Sequence, residues 1–547
     1  MADNAGADSQ RGLTQRLLDG IEAVGNKVPH PVLMFVYLII IVIVLSHILY
    51  LAGVSVTEQI AVPVPAAAEG EFYADTTAPG VIASEQPYDR NYEIQERTIA
   101  IESLLTTEGI RFLFTSFVRN FQGFGVVAVT FIAMMGAGVA EQAGMMSALI
   151  RRLVQVAPRR WITFIIVFVG VLSSVASDAG YLILIPLGAA AFLTLGRHPV
   201  AGVGAAFAGV SAVFAVNIIF TPIDSMITEI TNEAIALANG EPLTLAANFF
   251  FAVASSLVLA LVATVVTERI VEPRLGKYVP DADTAVQADD GSLSAEEQRG
   301  LRFALYGFLG FLVLILLLTL PAGAPLRRPD GYVDGNSPLM DSLLFIITMF
   351  FLVAGVAYGR GAGTMKTANE VIAAITKTFA SLGGLILMLL VISQFIAFFN
   401  YSNMPTVLAV AMAGALEQSN VGALPLLIGM IVVIMLLNIL IPGVMPKWAI
   451  FAPVFIPIFI RLGVAPQTVL AAYRIGDSPF NVVTPLMVYL PFVVTVVQRY
   501  QKNAGLGSVI ALMLPYTLVI ALAWILFFII WFVLGIPLGP GYPVSVP

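Results

Sequence analysis

The sequence predicts an all-α polytopic membrane protein, and three observations support this fold class. Hydrophobic residues make up 59% of the 547 positions and charged residues only 11%, which is more apolar than a water-facing surface tolerates. Apolar runs such as 31–53 and 512–534 exceed the roughly 20 residues that a helix needs to cross about 30 Å of hydrocarbon. Long runs in place of short alternating segments favour helices over an outer-membrane barrel.

The distribution of charge predicts how the chain crosses the membrane. Residues 54–105 carry nine acidic residues and only two basic ones, whereas four arginines at 151–160 follow the second apolar run. Because cytoplasmic loops carry the excess of Lys and Arg, the first segment is expected outside and the second inside. Residues 1–30, which precede the first span, predict an amphipathic helix on the cytoplasmic surface.

Composition excludes several kinds of site. The chain has no cysteine and only three histidines, at positions 30, 47 and 198, so neither a disulfide nor a histidine-rich metal cluster is expected. Basic residues stand in short groups at span borders without interleaved aromatics, so no nucleic-acid partner is predicted. The sequence also lacks a Gly-x-x-x-x-Gly-Lys-Ser/Thr loop, which disfavours an ATP-driven mechanism.

Nine crossings are predicted, and they fall into two halves. After the cytoplasmic residues 1–30, the first half covers 31–266 and includes the outer loop 54–105. A cytoplasmic connector, 267–302, leads to the second half, 303–547. The nine predicted crossings are 31–53, 118–147, 200–240, 244–266, 303–321, 341–358, 371–400, 466–498 and 507–535.

Two of these crossings, 200–240 and 466–498, are predicted to be broken helices. The first contains Asn-Ile-Ile-Phe-Thr-Pro at 217–222, and the second contains Asn-Val-Val-Thr-Pro at 481–485. Proline lacks a backbone donor and disfavours helix in the residue before it, so backbone carbonyls should be freed near both motifs. Within lipid such groups need partners in the protein or a cavity, so each break predicts a functional site.

A re-entrant hairpin is predicted before each broken helix. Residues 161–195 are apolar at both ends and polar around Asp178, and arginines on both flanks indicate that the segment enters and leaves from the cytoplasm. Residues 421–462 repeat this plan around Asn438, and the count of crossings places their entry outside. Two opposed hairpins, each followed by a broken helix, are typical of an inverted-repeat secondary transporter with its binding sites near the membrane midplane.

Three residues near the second break are candidates for substrate binding and coupling. Arg474 offers a planar fork of donors that matches a carboxylate, so it should bind the charged end of a substrate. Trp448 could stack on an aromatic ring, although a tryptophan beside a lysine is also typical of the lipid headgroup boundary. Asp477 follows Arg474 by three residues, so the two would form either a switch shared by proton and substrate or a structural ion pair.

Four further residues are candidates for cation or substrate binding. Asp178 places a costly carboxylate at membrane depth among serines, which together suit a hard cation, and Asn217 is the second expected sodium ligand. Asn481 is expected to assist coupling and Asn438 to contact substrate, both through amide oxygens. The simpler interpretation is packing for Asp178 and interhelical hydrogen bonding for the three asparagines.

The second-half motifs bring a known family into view. Arg-Ile-Gly-Asp-Ser-Pro at 474–479, preceded by Asn438, Trp448 and Pro466, closely resembles the p-aminobenzoyl-glutamate transporter (AbgT) family. Ser-Asp-Ala-Gly-Tyr at 177–181 adds to the match, which covers nearly the whole chain; the outer loop appears longer or more variable. The positions important in the family correspond here to Asp178, Asn438, Trp448, Pro466, Arg474, Asp477 and Pro485.

The resemblance implies properties that the residues alone do not give. It implies a bowl-shaped homodimer in the bacterial inner membrane, with no covalent cofactor and a sodium ion or proton as coupling partner. It also implies transport of p-aminobenzoate-type aromatic acids, with import of p-aminobenzoyl-glutamate in some members and cation-coupled export of sulfonamide antimetabolites in others.

Three other functions remain as alternatives. A sodium-coupled carboxylate importer would use the same candidate residues. An intramembrane aspartyl protease would need Tyr-Asp and Gly-x-Gly-Asp motifs, which differ from Ser-Asp178 and Arg-Ile-Gly-Asp477, and the arginine near Asp477 would oppose the shared proton. A channel is disfavoured because no repeated filter sequence is present.

Overall fold

The computed structural model describes most of the chain. The described residues are 31–63, 92–176, 180–238, 240–279, 292–333, 337–419, 422–439, 441 and 443–545. The predicted amphipathic segment 1–30, part of the outer loop 54–105 and the candidate ligand Asp178 therefore lie outside the described residues.

The first half and the start of the connector contain eleven of the described α-helices and one two-stranded ribbon. Short 3₁₀ segments at Arg159–Trp161, Ser174–Ala176 and Leu245–Asn248 and π turns at Gly180–Leu184, Ala208–Ala212 and Thr267–Val271 adjoin these helices. In chain order the elements are α1 (Pro31–Leu51), β1 (Ser55–Pro63), β2 (Tyr92–Ala100), α2 (Thr107–Thr115), α3 (Phe117–Gln122), α4 (Gly125–Gln142), α5 (Met145–Gln155), α6 (Ile162–Ser173), α7 (Ile185–Thr194), α8 (Pro199–Phe207), α9 (Pro222–Ala236), α10 (Phe249–Val266) and α11 (Glu272–Leu275).

The second half continues with helices only, in the part that the structure describes. A 3₁₀ segment, Pro479–Val482, separates its last broken helix into two pieces. The helices are α12 (Ala295–Thr319), α13 (Pro338–Asp341), α14 (Leu343–Ala362), α15 (Ala368–Ser381), α16 (Gly383–Tyr401), α17 (Met404–Ser419), α18 (Ala423–Leu437), α19 (Val444–Arg461), α20 (Pro466–Asp477), α21 (Leu490–Gln498) and α22 (Leu506–Val533).

The predicted fold class, a helical protein with many membrane spans, is confirmed. Within the described residues eight helices are long and apolar enough to cross a bilayer, or up to nine if the pair α5 and 159–173, bent by 111°, is counted as one span. All but one of the eight overlap predicted crossings, although two of them, Leu245–Leu275 and Ala295–Thr319, extend eight or nine residues into the predicted connector. The exception is α19, which is the second arm of the predicted hairpin 421–462.

One local prediction was wrong, and the outer loop adds structure that was not predicted. The crossing predicted at 371–400 is divided into α15 and α16, because Gly383 and Gly384 follow each other at the junction and glycine disfavours a continuous helix. The outer loop, whose secondary structure the sequence did not specify, contains β1 and β2 paired antiparallel with Ser55 opposite Ala100. Both strands carry β-branched residues, which favour this extended pairing.

Both predicted helix breaks are present. In the first half α8 runs into the π turn at Ala208–Ala212, the helix stops, and a new helix begins at Pro222. Thr221 caps this new helix and exchanges hydrogen bonds with Asp224 in a capping box. In the second half α20 ends at Asp477, and α21 begins only at Leu490. The breaks therefore leave irregular backbone in the interior of both halves.

Close backbone contact holds the first hairpin against the first broken helix. A Cβ atom placed on Gly209 would lie 2.3 Å from the backbone oxygen of Val167 on α6, and one placed on Gly170 would lie 2.8 Å from the carbonyl carbon of Gly209. Only glycine allows the two segments to approach so closely. The first hairpin and the first break are thus packed as one unit.

We predict that Gly209→Ala destabilises the fold by about 1–3 kcal/mol, the usual cost of overpacking, because α6 would have to move away. Gly429→Ala is the matched control, since its Cβ would meet nothing within 4 Å and alanine favours helix. Thermal unfolding of purified protein in detergent measures both variants. Equal unfolding temperatures for the two variants would contradict the proposed packing.

Candidate functional site

The two helix breaks meet in the interior. The backbone N–H of Ala215, in the first break, donates to the Oγ of Ser478 at 3.1 Å, and the carbonyl of Ala215 accepts from Arg474 at 2.8 Å. Asn481 donates to the carbonyl of Ser211 at 3.4 Å. Backbone groups released by one broken helix are thus bonded by side chains of the other, as the absence of water in a membrane interior requires.

Arg474 forms a buried ion pair with a residue of the opposite half. Its Nη1 lies 2.5 Å from the Oδ1 of Asp224, and the two side chains are 3% and 11% exposed. Asp224 is also the third residue of α9, where its other oxygen accepts from the backbone and hydroxyl of Thr221 at 2.8 Å. A carboxylate in the first turn of a helix is stabilised by the helix dipole. The guanidinium is therefore held at the start of α9.

Asp477 forms a second buried ion pair, with Lys447 of α19. The Nζ of Lys447 lies 2.7 Å from the Oδ1 of Asp477, and both side chains are almost completely buried. Lys447 also donates to the Oδ1 of Asn438, and Asn438 donates to the backbone carbonyl of Asp477 at 2.6 Å. Because Asp477 ends α20, where the helix dipole disfavours an anion, the lysine compensates an unfavourable position.

The expected contact between Arg474 and Asp477 is not present. Residues three apart on a helix differ by about 60° around its axis, so they can face different neighbours. Here Arg474 faces the start of α9, whereas Asp477 faces α19. The predicted direct contact between these two residues, whether as a switch or as a structural ion pair, is therefore wrong.

Two asparagines each connect a hairpin with the broken helix of the same half. Asn217 donates from the first break to the carbonyl of Val171 and to the hydroxyl of Ser174, both at 2.9 Å, at the end of the first hairpin arm. Asn438, at the end of the second hairpin arm, donates to the Oδ1 of Asn481 at 2.8 Å. Each amide group thus joins a hairpin to the broken helix that follows it.

Trp448 is fully buried, so it does not lie at the headgroup boundary. Its Nε1–H donates to the Oγ1 of Thr231 on α9 at 2.8 Å. Its ring stacks on Tyr473, with centroids 4.2 Å apart and an angle of 24° between the planes. Trp448 therefore connects α19 with both α9 and α20.

The two prolines among the candidates stand apart from these contacts. Pro466 begins α20, eleven residues before Asp477, which corresponds to about 16 Å along the helix. The neighbouring Thr468 donates to the carbonyl of Val544, so this end of α20 contacts the C-terminal segment. Pro485 follows Thr484, whose hydroxyl donates to the carbonyl of Ile439 at 3.0 Å and links the second break to the second hairpin.

Three polar atoms around the two breaks are buried without a hydrogen-bond partner among the described residues. They are the Nε of Arg474, the Oδ2 of Asp477 and the Oγ of Ser211. A buried polar group without a partner costs about 1–3 kcal/mol, so such groups are rare and concentrate where ligands, ions or ordered water bind. These three atoms mark the meeting point of the breaks as the candidate site.

Two charged residues of this site, Asp224 and Lys447, were not among the residues predicted from the sequence. Asp224 lies two residues beyond the motif at 217–222, and Lys447 is the lysine beside Trp448 that suggested a membrane-surface position. The signal for both was available, because a charge within an apolar segment at membrane depth requires a partner. Which partner each would take depends on tertiary contacts between the halves.

We predict that Lys447→Met and Asp477→Asn each lower the stability by about 3 kcal/mol, because each leaves one buried charged or polar partner unmatched. The double variant should recover most of the loss in thermal unfolding. Arg151→Met is the control, since its ion pair with Glu297 is part-exposed and should contribute at most about 1 kcal/mol. If the double variant is no more stable than the less stable of the two single variants, Lys447 and Asp477 do not form the proposed ion pair.

Comparison with known proteins agrees with this arrangement. The family model of the AbgT transporters matches residues 16–546. The p-aminobenzoyl-glutamate transport protein of Escherichia coli K12 is 31% identical over 539 residues, which cover 98% of each chain. Two proteins of known structure are similar over nearly the whole chain. The Alcanivorax borkumensis YdaH transporter is 35% identical with a TM-score of 0.82, and the match covers 94% of this chain and 100% of that one. Neisseria gonorrhoeae MtrF, described as one of a class of antimetabolite efflux pumps, is 36% identical with a TM-score of 0.83, and the match covers 96% of this chain and 100% of that one. These relatives are transporters, not enzymes, and the chain belongs to the AbgT transporter family.

Proposed function

We propose that the protein is a cation-coupled secondary transporter of p-aminobenzoate-type aromatic acids in the bacterial inner membrane, where it acts as a homodimer. On this proposal it moves p-aminobenzoyl-glutamate, exports sulfonamide antimetabolites, or does both. The names of the Escherichia coli and Neisseria gonorrhoeae relatives support this substrate class. The geometry around Arg474 supports an anionic substrate.

The observation that carries the proposal is that only part of the guanidinium of Arg474 is hydrogen-bonded. Its Nη1 bonds Asp224 and Ala215, whereas its Nε is buried without a partner among the described residues. A carboxylate binds a guanidinium best through two parallel N–H donors, and the edge that includes Nε offers such a pair. The carboxylate of an aromatic acid would satisfy this edge and offset the cost of burying it.

The stacked pair of Trp448 and Tyr473 supports the aromatic part of the substrate. Tyr473 lies on the same helix as Arg474, one residue before it, and its ring covers one face of Trp448. A substrate ring on the other face of Trp448 would extend this stack, and aromatic pairs favour such offset contacts. Asn438, Pro466 and Pro485 would then shape the site through the hairpin and the ends of the broken helix.

Two groups are proposed for cation coupling. Asp477 would accept a proton, since its Oδ2 is unpartnered and protonation would weaken its bond to Lys447. Asp178 and Asn217 would hold sodium, with Asn481 assisting. Ser173 and Ser174, buried at the end of the first hairpin arm beside Asn217, add hydroxyl oxygens of the kind that a hard cation prefers.

The decisive experiment measures transport in proteoliposomes. Uptake and counterflow of p-aminobenzoate, p-aminobenzoyl-glutamate and a sulfonamide should be measured under imposed sodium and proton gradients separately. Accumulation driven by one of these gradients, with counterflow of labelled substrate, is the expected result. Flux that shows neither counterflow nor dependence on either gradient would refute a cation-coupled carrier.

We predict that Arg474→Ala weakens binding of carboxylate substrates by about 10- to 100-fold, the loss expected for a charge-assisted hydrogen-bonded pair. A sulfonamide without a carboxylate should lose less affinity. Arg474→Gln is the control for side-chain volume and should behave like alanine, because it also lacks the charge. Binding of p-aminobenzoate that is unchanged in folded Arg474→Ala protein would remove Arg474 from the proposed site.

A further inference from the structure

A cavity of about 510 Å³ lies beside α9, separate from the contacts of Arg474. Ser225, Thr228, Glu229 and Asn232 line it, and their spacing places them along one face of the helix. Its other walls include residues 241–245 together with Met340, Asp341 and Leu344. The volume lies within the range of small-molecule pockets, and the charge distribution of the sequence predicts that this end of the protein is extracytoplasmic.

The neighbouring face of α9 contacts the second half through two polar interactions. Asp224 forms its ion pair with Arg474, and Thr231 accepts the hydrogen bond of Trp448. These two residues are seven apart, so they stand two turns apart on the same side of the helix. Helix α9 therefore separates the cavity from the candidate substrate site.

We propose that α9 is a gate, that the contacts Asp224–Arg474 and Thr231–Trp448 hold it closed, and that substrate opens it by taking both partners. The proposal rests on the function proposed above, since Arg474 and Trp448 are the residues assigned to the substrate carboxylate and ring. Substrate binding and the closed position of α9 then compete for the same two side chains, Arg474 and Trp448. Asp224 and Thr231 are positioning residues in this scheme, because they act through Arg474 and Trp448.

The residues on α9 can be released without being left unsatisfied. Asp224 keeps its bonds to Thr221 and its favourable place at the helix N-terminus after Arg474 leaves. Thr231 keeps the hydrogen bond from its hydroxyl to the carbonyl of Ile227, at 2.7 Å. Exchange of the Asp224 carboxylate for a substrate carboxylate also preserves the charge around Arg474, so that the guanidinium is never buried without a counter-ion. Asp224 and Thr231 thus keep hydrogen-bond partners whether α9 is closed or open, which is what a two-state element requires.

The absence of cysteine in the natural sequence allows a direct test by thiol labelling. Ile227→Cys places a single thiol at a fully buried position of α9, and Ala234→Cys gives a second buried reporter on the same side of the helix. Each is labelled with a polar maleimide in nanodiscs, where both faces of the membrane protein are accessible. Thr231→Val removes the hydrogen bond of Trp448 at nearly constant volume, and Thr231→Ser, which keeps the hydroxyl, is the matched control.

The gate predicts that Thr231→Val raises the labelling rate of Ile227→Cys about three- to tenfold, the effect of one lost hydrogen bond, whereas Thr231→Ser does not. Labelling of Asn232→Cys, which already lies in the cavity, should not respond to either change. Addition of p-aminobenzoate should also raise the labelling rate of Ile227→Cys, but not in Arg474→Ala protein.

Equal labelling rates in the valine and serine variants, at both reporters, would overturn the gate. A rise in the valine variant together with no response to p-aminobenzoate would support the gate and contradict the proposed substrate. The two proposals therefore fail separately.

Discussion

The buried contact between Arg474 and Asp224 is the interaction on which the site depends. It joins the start of a helix in the first half to the interior of a broken helix in the second, and its atoms are 2.5 Å apart. Taking two charges out of water and lipid headgroups is costly, and such pairs often add little net stability. The pair instead fixes how the two halves are aligned. Any alignment that separated Arg474 from Asp224 would leave both charges buried and unpaired, at a much larger cost in free energy.

The same logic applies to the backbone at the two breaks. Each break leaves backbone groups outside regular helix, and in a membrane those groups must be bonded inside the protein. The released carbonyl of Ala215 is bonded by Arg474, while the carbonyl of Asp477 is bonded by Asn438. The polar residues at the breaks therefore serve the backbone first, and the unpartnered atoms of Arg474, Asp477 and Ser211 are what remains for a ligand.

Much of this arrangement could be predicted from the sequence. Long apolar runs predicted the spanning helices, and the paired Asn-to-Pro motifs predicted both breaks, because these signals are local. Arg474 and Asp477 were selected because charge at membrane depth is costly. Their partners were not predictable, since sequence spacing suggested a bond within one helix and the actual bonds run to Asp224 and Lys447 on other helices. Trp448 was ambiguous for the same reason: a tryptophan beside a lysine suits the membrane surface, and only packing shows that both are buried.

The central claim is that Arg474 and Asp224 bind each other directly and thereby hold the two halves in register. A double-mutant cycle of Asp224→Asn and Arg474→Gln, followed by unfolding of the purified protein, measures this most directly. The account predicts a coupling energy of at least about 2 kcal/mol, with the double variant more stable than the sum of the two single losses implies. Losses that add to within about 0.5 kcal/mol would show that the two residues act independently and would contradict the account.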